Sequence, residues 1–444
     1  MSYKQHKQAF IAHNPGTDIL HVQAVSLIGC SSYLLYAALP AVSSPLLDYL
    51  VTFLPLLLAQ TVFARHPYTF NALLCAVALL VRWGQRRPET STAPPSPVSS
   101  RHPPFLTTWR AHMMVMTTIA ILAVDFPLFP RAFGKTEDWG TSLMDVGVGS
   151  FVFSQGLASV SPSRHPRMAT TIIKSLPVIA LGIVRVIMVK GVDYPEHVTE
   201  YGVHWNFFFT LAAVPLLAHL LSPLRSRLPG VFVVLSLTSA HAYALYAGLE
   251  RWVMRDDPSQ SRNGTGILNM NKEGLVSLPG YLAIYLLGAE VGRIVSPFPS
   301  TTTNVRTRRK TVDRSLALFA GITWTSLFLL RSVLGLAVSR RLTNAPYVVW
   351  TTAFNVTFLL AYHLIERYSF PSWTRDEVKV PPLLTAINRN GLVVFLLANL
   401  LTGLINVSIQ TMYTSDKVAL VVLVGYTAVL SAVAWALRDV RVKL

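Results

Sequence analysis

Charge is scarce in this chain. Only 13% of its 444 residues are charged, and carboxylates are the rarer sign, 21 Asp and Glu against 38 Lys and Arg. Soluble domains carry about 25% charged residues, so a soluble enzyme of this length is excluded. Cysteine is rarer still: Cys30 and Cys75 are the only two, both inside apolar runs, which rules out a disulfide framework. No Gly-rich phosphate loop, zinc-ligand spacing or nucleophile elbow occurs, and His13, His21 and the other histidines have no metal-ligand spacing. A nucleotide-binding loop, a metal site and a Ser/His/Asp acyl-enzyme are therefore not indicated, and no resident cofactor is expected. Alternating amphipathic strands are missing, which excludes a β-barrel, and no period of about 20–50 residues repeats, which excludes a solenoid. The first twenty residues are polar, with Lys4, Lys7 and Asp18, so the chain does not start with the apolar core of a signal peptide.

Apolar residues make up 52% of the chain, and the mean hydropathy is +0.45. They gather in blocks of about 18–22 residues, the length that spans a bilayer as helix. The blocks start near Val22, Leu46, Thr69, Ala111, Ser142, Thr171, His204, Gly230, Leu275, Ser315, Pro346, Asn388 and Val418. The reading is an all-α polytopic membrane protein with about 13 transmembrane helices. A net charge of +17 invites a nucleic-acid partner, but the cations lie in short loops rather than in one patch. Most of them fall on one set of alternate loops, from Arg82 and Arg110 to Arg389 and Lys443, which the positive-inside rule places in the cytosol. The C-terminus is then cytosolic and the N-terminus on the far side. Residues 86–104, RRPETSTAPPSPVSSRHPP, read as a flexible cytosolic linker, and Thr301–Arg309 as a similar polar stretch. Residues 1–444 otherwise read as a single membrane domain.

The unusual polar residues sit on the other side. After the fourth block comes VDFPLFPRAFGKTEDWGTSLMD, in which Asp125 follows an apolar run and two prolines break the helix before Arg131 and Lys135. A carboxylate at membrane depth is costly and by default functional. The same stretch ends on Asp145. After the sixth block comes DYPEHVTEYGVHWNFF, with Glu200, His204 and Asn206. After the eighth comes GTGILNMNKEG, with Asn269, Asn271, Lys272 and Glu273, and the twelfth block carries Asn399 and Asn406. Acids, bases, amides and aromatics thus gather at one face, as suits chemistry at the lipid–water boundary. Plainer readings stand beside this one. Asp125 with Arg131 or Lys135 is equally a structural ion pair, His204 beside Trp205 fits an interfacial aromatic belt, and Asp145 and Arg185 could pair between helices. Asn263-Gly-Thr265 matches a glycosylation acceptor.

From such parts a direct transfer is easiest to build. A carboxylate or histidine removes a proton from a hydroxyl, and a Lys or Arg stabilises an oxyanion at an acyl carbonyl. The segments AILAVDFPLFPRAFGKTEDWGTSLMDVGVGSFVF, TEYGVHWNFFFT, GILNMNKEGLVSLPGYLAIYL and TAINRNGLVVFLLANLLTGLIN resemble the GPI-inositol acyltransferases, the family called PIG-W in animals. The resemblance runs from end to end, weakens at Arg86–Pro104 and Asp256–Asn263, and is similar to fungal members in its compact loops. It implies a multi-pass enzyme of the endoplasmic reticulum membrane, with a lumenal N-terminus. Such an enzyme transfers a fatty acyl group, typically palmitoyl, from acyl-CoA to the inositol 2-hydroxyl of glucosaminyl-phosphatidylinositol. It also implies Asp125 and Lys135 as the catalytic pair. In that frame Asp125 is the base for the hydroxyl, Lys135 holds the oxyanion or keeps Asp125 ionised, and His204 is the alternative base. Asn206, Asn269, Asn271 and Lys272 are candidates for the sugar, inositol or phosphate, with Arg131, Asp145 and Arg185 as further substrate contacts. Acyl-CoA, a cytosolic co-substrate, must then reach residues that face the lumen. The competing reading is a glycolipid transporter or flippase without covalent chemistry, and a third is a non-catalytic scaffold.

Overall fold

The computed structural model describes residues 6, 10, 14–39, 44–84, 103–160, 167–190, 198–255, 266–296, 305–369 and 380–442, with backbone alone at 188–190, 198–199 and 305–309. Among these there is no strand, and helices account for each apolar block. In chain order the helices used below are α1 (Ile19–Ala38), α2 (Pro45–Thr52), α3 (Leu54–Gln60), α4 (Pro67–Gly84), α5 (Pro104–Ala123) and α6 (Leu143–Ala158). They continue with α7 (Met168–Lys190), α8 (Val198–Tyr201), α9 (Phe207–Leu220), α10 (Gly230–Ala244), α11 (Lys272–Val295) and α12 (Val305–Phe328). The last four are α13 (Ala345–Ser369), α14 (Pro382–Arg389), α15 (Gly391–Ser408) and α16 (Asp416–Ala436). Backbone polar groups in a bilayer must be paired internally, which is why long apolar runs become helix throughout.

Among the described residues eight helices are long and apolar enough to cross a membrane: α1, α7, Gly230–Met254, α11, Lys310–Val333, α13, α15 and α16. Shorter apolar helices occupy Pro45–Gln60, α6 and α9. The chain is thus an all-α polytopic membrane protein. Two details differ from the sequence reading. The stretch Thr301–Arg309 is not loop throughout, because α12 begins at Val305. The twelfth block is also divided, at Asn390, into α14 and α15. Residues 86–102 of the expected linker and Asn263 lie outside the described residues.

The described residues form two compact units. The first draws on Met1–Gly16, Lys135–Phe298 and Leu318–Val356, the second on Thr17–Gly134, Pro299–Ala317 and Thr357–Leu444. In the first unit α6 and α11 pack face to face, α9 lies on both α7 and α11, and α10 packs on α11. Glycines permit the α6–α11 approach: a Cβ on Gly156 would lie 2.0 Å from the Tyr285 carbonyl oxygen, and one on Gly288 would lie 2.2 Å from that of Phe153. Small residues that let two backbones touch are the usual glue between membrane helices, where lipid supplies no hydrophobic drive. In the second unit α1 packs on α4, α5 on α14 and α15, and α16 on α14 and α15. Buried hydroxyls make some of these joints, as where Tyr49 meets Thr427 at 2.8 Å and Tyr426 donates to the Thr118 carbonyl at 2.8 Å.

Candidate functional site

In the second unit α5 stops at Ala123, two residues short of Asp125. Tight turns follow: Asp125 N–H donates to Leu122, Phe126 N–H to Ala123 and Phe129 N–H to Phe126. Prolines at 127 and 130 forbid a return to α-helix. Phe126, Phe129 and Phe133 point inward and are fully buried, so the segment is packed rather than loose. Asp125 is itself 4% exposed, and its Oδ2 accepts a 2.7 Å hydrogen bond from Asn406 Nδ2 on α15. Asn406 Oδ1 in turn accepts from Thr411 at 3.1 Å. Arg131 is half-buried in the 3-10 turn Arg131–Phe133.

Deeper in the same unit, His112 of α5 contacts the Tyr362 hydroxyl at 2.6 Å through Nδ1. Both residues are buried. The sequence reading passed over this pair, although a histidine inside an apolar run is the available signal.

In the first unit, loops that the topology reading puts on the non-cytosolic side come together. Asp145, fully buried at the start of α6, is the centre. Its Oδ2 accepts from Thr136 N at 3.1 Å, Thr136 Oγ1 at 2.8 Å and Ser142 Oγ at 2.8 Å. Ser142 also caps α6 by accepting from Asp145 N–H at 3.1 Å. Asp145 Oδ1 takes the Nε of Arg340 at 2.7 Å. Asp145 is thus a structural hub, and its partner is Arg340 rather than Arg185. Buried charges survive only when paired and hydrogen-bonded, and here both carboxylate oxygens are in use.

Arg340 is 2% exposed and reaches Glu200 with Nη2, 3.7 Å from Oε1. Glu200 Oε1 is at the same time in ion-pair contact with Lys135 Nζ. The Tyr201 ring lies 6.0 Å from the Arg340 guanidinium, in cation–π range. Burial pushes the Tyr201 phenol well above its usual range, so it stays neutral. Burial also works against the Arg340 charge, but Asp145 and then Glu200 more than reverse this and hold its pKa well above the ordinary arginine value.

The neighbouring Arg341, also 2% exposed, turns to other carboxylates: Asp138 at 2.6 Å and the buried Glu273 at 3.0 Å. The turn that carries both arginines is pinned by Asn344, whose Oδ1 accepts from Ser339 N–H at 3.1 Å, and by Ser339 Oγ donating to the Asp138 carbonyl at 2.6 Å. Thr343 completes that turn with a φ of 47°, a left-handed conformation that β-branched residues avoid. Its hydroxyl donates to the Arg340 carbonyl at 3.0 Å. The sequence reading missed Arg340 and Arg341. Their signal is an adjacent Arg pair on the side where positive-inside topology leaves few cations.

The other expected site residues take these places. Asn271 Oδ1 accepts from His204 N–H at 2.9 Å and Trp205 N–H at 2.8 Å, which ties two loops together. Gly202 makes that docking possible: its φ is +119°, and a Cβ there would lie 2.6 Å from the Met270 carbonyl oxygen. His204 is half-buried beside Trp205. Asn206 caps α9 by accepting from Phe208 N–H at 3.0 Å, and donates to the Gly182 carbonyl at 3.0 Å. Lys272, 3% exposed, donates to the Trp252 and Arg255 carbonyls at 2.9 and 3.0 Å. There it neutralises the C-terminal end of the helix Glu250–Met254. Asn269 is half-buried in the short helix Ile267–Met270. Arg185 is exposed and sits in the last two turns of α7 rather than near the middle of its span, where a long cation can snorkel to the membrane surface.

Comparison with known proteins points one way. The family model described as GWT1 matches residues 3–437. The chain is 39% identical to GPI-anchored wall transfer protein 1 of Aspergillus oryzae, with 100% of this chain and 99% of the relative covered. It is 35% identical to the proteins of the same name from Cryptococcus neoformans var. grubii, covering 100% of both chains, and from Candida albicans, covering 100% and 99%.

Proposed function

We propose that this chain, which belongs to the GWT1 family, is a GPI-inositol O-acyltransferase of GPI-anchor assembly. The substrates are acyl-CoA, typically palmitoyl-CoA, and glucosaminyl-phosphatidylinositol, and the site of action is the endoplasmic reticulum membrane. The supporting observation is that the VDFPLFPRAFGK segment occurs intact in a chain that matches the family from residue 3 to 437. In it Asp125 is buried and held by Asn406, and Lys135 keeps a third of its side chain exposed.

Asp125 takes the proton of the inositol 2-hydroxyl as its oxygen attacks the thioester carbonyl carbon. The Lys135 ammonium carries the negative charge that develops on the carbonyl oxygen. The C–S bond then breaks, and the departing CoA sulfur recovers the proton from Asp125. General-base and oxyanion contributions of this kind are each worth roughly 10²–10⁴ in rate. Asp145, Asn206, Asn271 and Lys272 support the reaction by fixing the loops, since their polar atoms are engaged with the protein.

Incubation of the purified chain with palmitoyl-CoA and glucosaminyl-phosphatidylinositol tests the reading. Mass spectrometry should find one added acyl group on the inositol and an equal amount of free CoA. Unchanged glycolipid from a well-folded preparation would overturn it, and movement of the glycolipid across a vesicle membrane without acylation would favour a flippase.

A further inference from the structure

The residue that carries the oxyanion must hold its charge at one place, and a lysine on a loop has four rotatable bonds to lose. In the first unit a file of charges deals with this. Side-chain exposure falls along it from Lys135 at 33% to Glu200 at 14%, Arg340 at 2% and Asp145 at 0%. Each member touches the next, and the file ends on the hydrogen-bonded start of α6.

The backbone of Lys135 is fixed from the same anchor. Thr136, its neighbour in sequence, gives both its N–H and its hydroxyl to Asp145. The Lys135 carbonyl accepts from Asn14 Nδ2 at 3.3 Å. One buried carboxylate therefore orders Lys135 twice, through its backbone and, by way of Arg340 and Glu200, at its ammonium.

We infer that Glu200 is a positioning residue for Lys135, braced by Arg340 so that one of its oxygens holds the ammonium in a fixed direction. This rests on the acyltransferase reading above. Arg340 alone is too deeply buried to meet a lipid substrate, and it is already engaged by Asp145 Oδ1. Asp145 occupies only its Nε, and the Nη2 edge turns to Glu200 and to the Thr136 carbonyl, so the same guanidinium braces both the carboxylate and the backbone beside Lys135. A carboxylate shared by a buried arginine and an accessible lysine leaves the lysine with charge to offer. An isolated Lys–Glu pair would be closer to self-neutralised. Misplacement of a reacting group by about 1 Å can cost on the order of 10²-fold in rate.

The test is a double-mutant cycle on the full-length enzyme, read as kcat and KM for palmitoyl-CoA and for glucosaminyl-phosphatidylinositol. Glu200→Gln should lower kcat by about tenfold or more with both KM values within about twofold, and Glu200→Asp, which keeps the charge, should regain most of that loss. Combined with Lys135→Arg, Glu200→Gln should cost little further, because the two changes remove one function. Losses that multiply, or a Glu200→Gln enzyme at the wild-type rate, would overturn the positioning role. Wild-type protein that forms no acylated lipid would overturn the reaction itself. Full activity in Lys135→Ala would remove the role given to that lysine and the positioning role with it. Should Glu200→Gln fail to accumulate, Arg340→Lys reads the same coupling. That variant keeps a charge but loses the guanidinium reach to Glu200, and it should lower kcat with both KM values held. Wild-type kcat there, with Lys135→Ala inactive, would overturn the positioning role alone.

Discussion

Asn406 Nδ2 donates to Asp125 Oδ2 at 2.7 Å, joining the break after α5 to a residue near the end of α15. The donor is kept in place by its own carbonyl, which accepts from the buried Thr411. An amide in this position orients a carboxylate without neutralising it. Asn406→Leu should therefore lower kcat by about tenfold, equivalent to about 1.4 kcal/mol of barrier, with the enzyme still inserted and folded. Steady-state rates of acyl transfer, set beside the melting temperature of the same preparation, check this.

Asp125→Asn and Lys135→Ala should each reduce turnover by at least about tenfold. His204→Ala separates the rival base. Near-complete loss there, with an active Asp125→Asn, would reverse the assignment. Retained activity in both His204→Ala and Asp125→Asn would leave neither as the base.

Asp145 and Arg340 form a buried pair, and removing Asp145 leaves the arginine facing the more distant Glu200, 3.7 Å away and shared with Lys135. Asp145→Ala should destabilise the protein by about 3–5 kcal/mol, seen as loss of monodisperse protein after extraction. The double variant Asp145→Leu/Arg340→Met should regain much of the stability while turnover stays low, because Glu200 and Thr136 lose their anchor. A double variant as unstable as the single one would contradict the pairing as the cause.

Gly156→Val should disrupt the α6–α11 contact, since the new Cβ would meet the Tyr285 carbonyl oxygen at 2.0 Å. Overpacking of this kind costs about 1–3 kcal/mol, and more where backbone must move. Thermal unfolding in detergent measures it, and Gly84→Val, where a Cβ meets nothing within 4 Å, serves as the control.

Much of the architecture could be read from the sequence because apolar length and proline are strong signals. The fourth block ends where the prolines require, and the loops after blocks four, six and eight do gather, as Glu200, Asn271 and Asp138 show by their contacts. What could not be read was which polar residue serves which partner. Asp145, Asn206, Asn271 and Lys272 have the chemistry of substrate contacts, yet each is engaged by backbone or by a distant arginine, and spacing carries no trace of such pairings. Arg340 is 195 residues from Asp145 in the chain. Helix ends shifted for a similar reason. Residues 305–309, three of them arginines, continue α12 because i to i−4 hydrogen bonding does not require apolar side chains.

The meeting of α6 and α11 through bare backbone has a mechanical consequence. Two helices touching at Gly156 and Gly288 have no side-chain cushion between them there, so that spot acts as a fulcrum. Asp145, eleven positions before Gly156, sits at the end of a lever about 16 Å long. Tilting of α6 would swing Asp145, and with it Thr136 and Arg340, while the fulcrum stayed still.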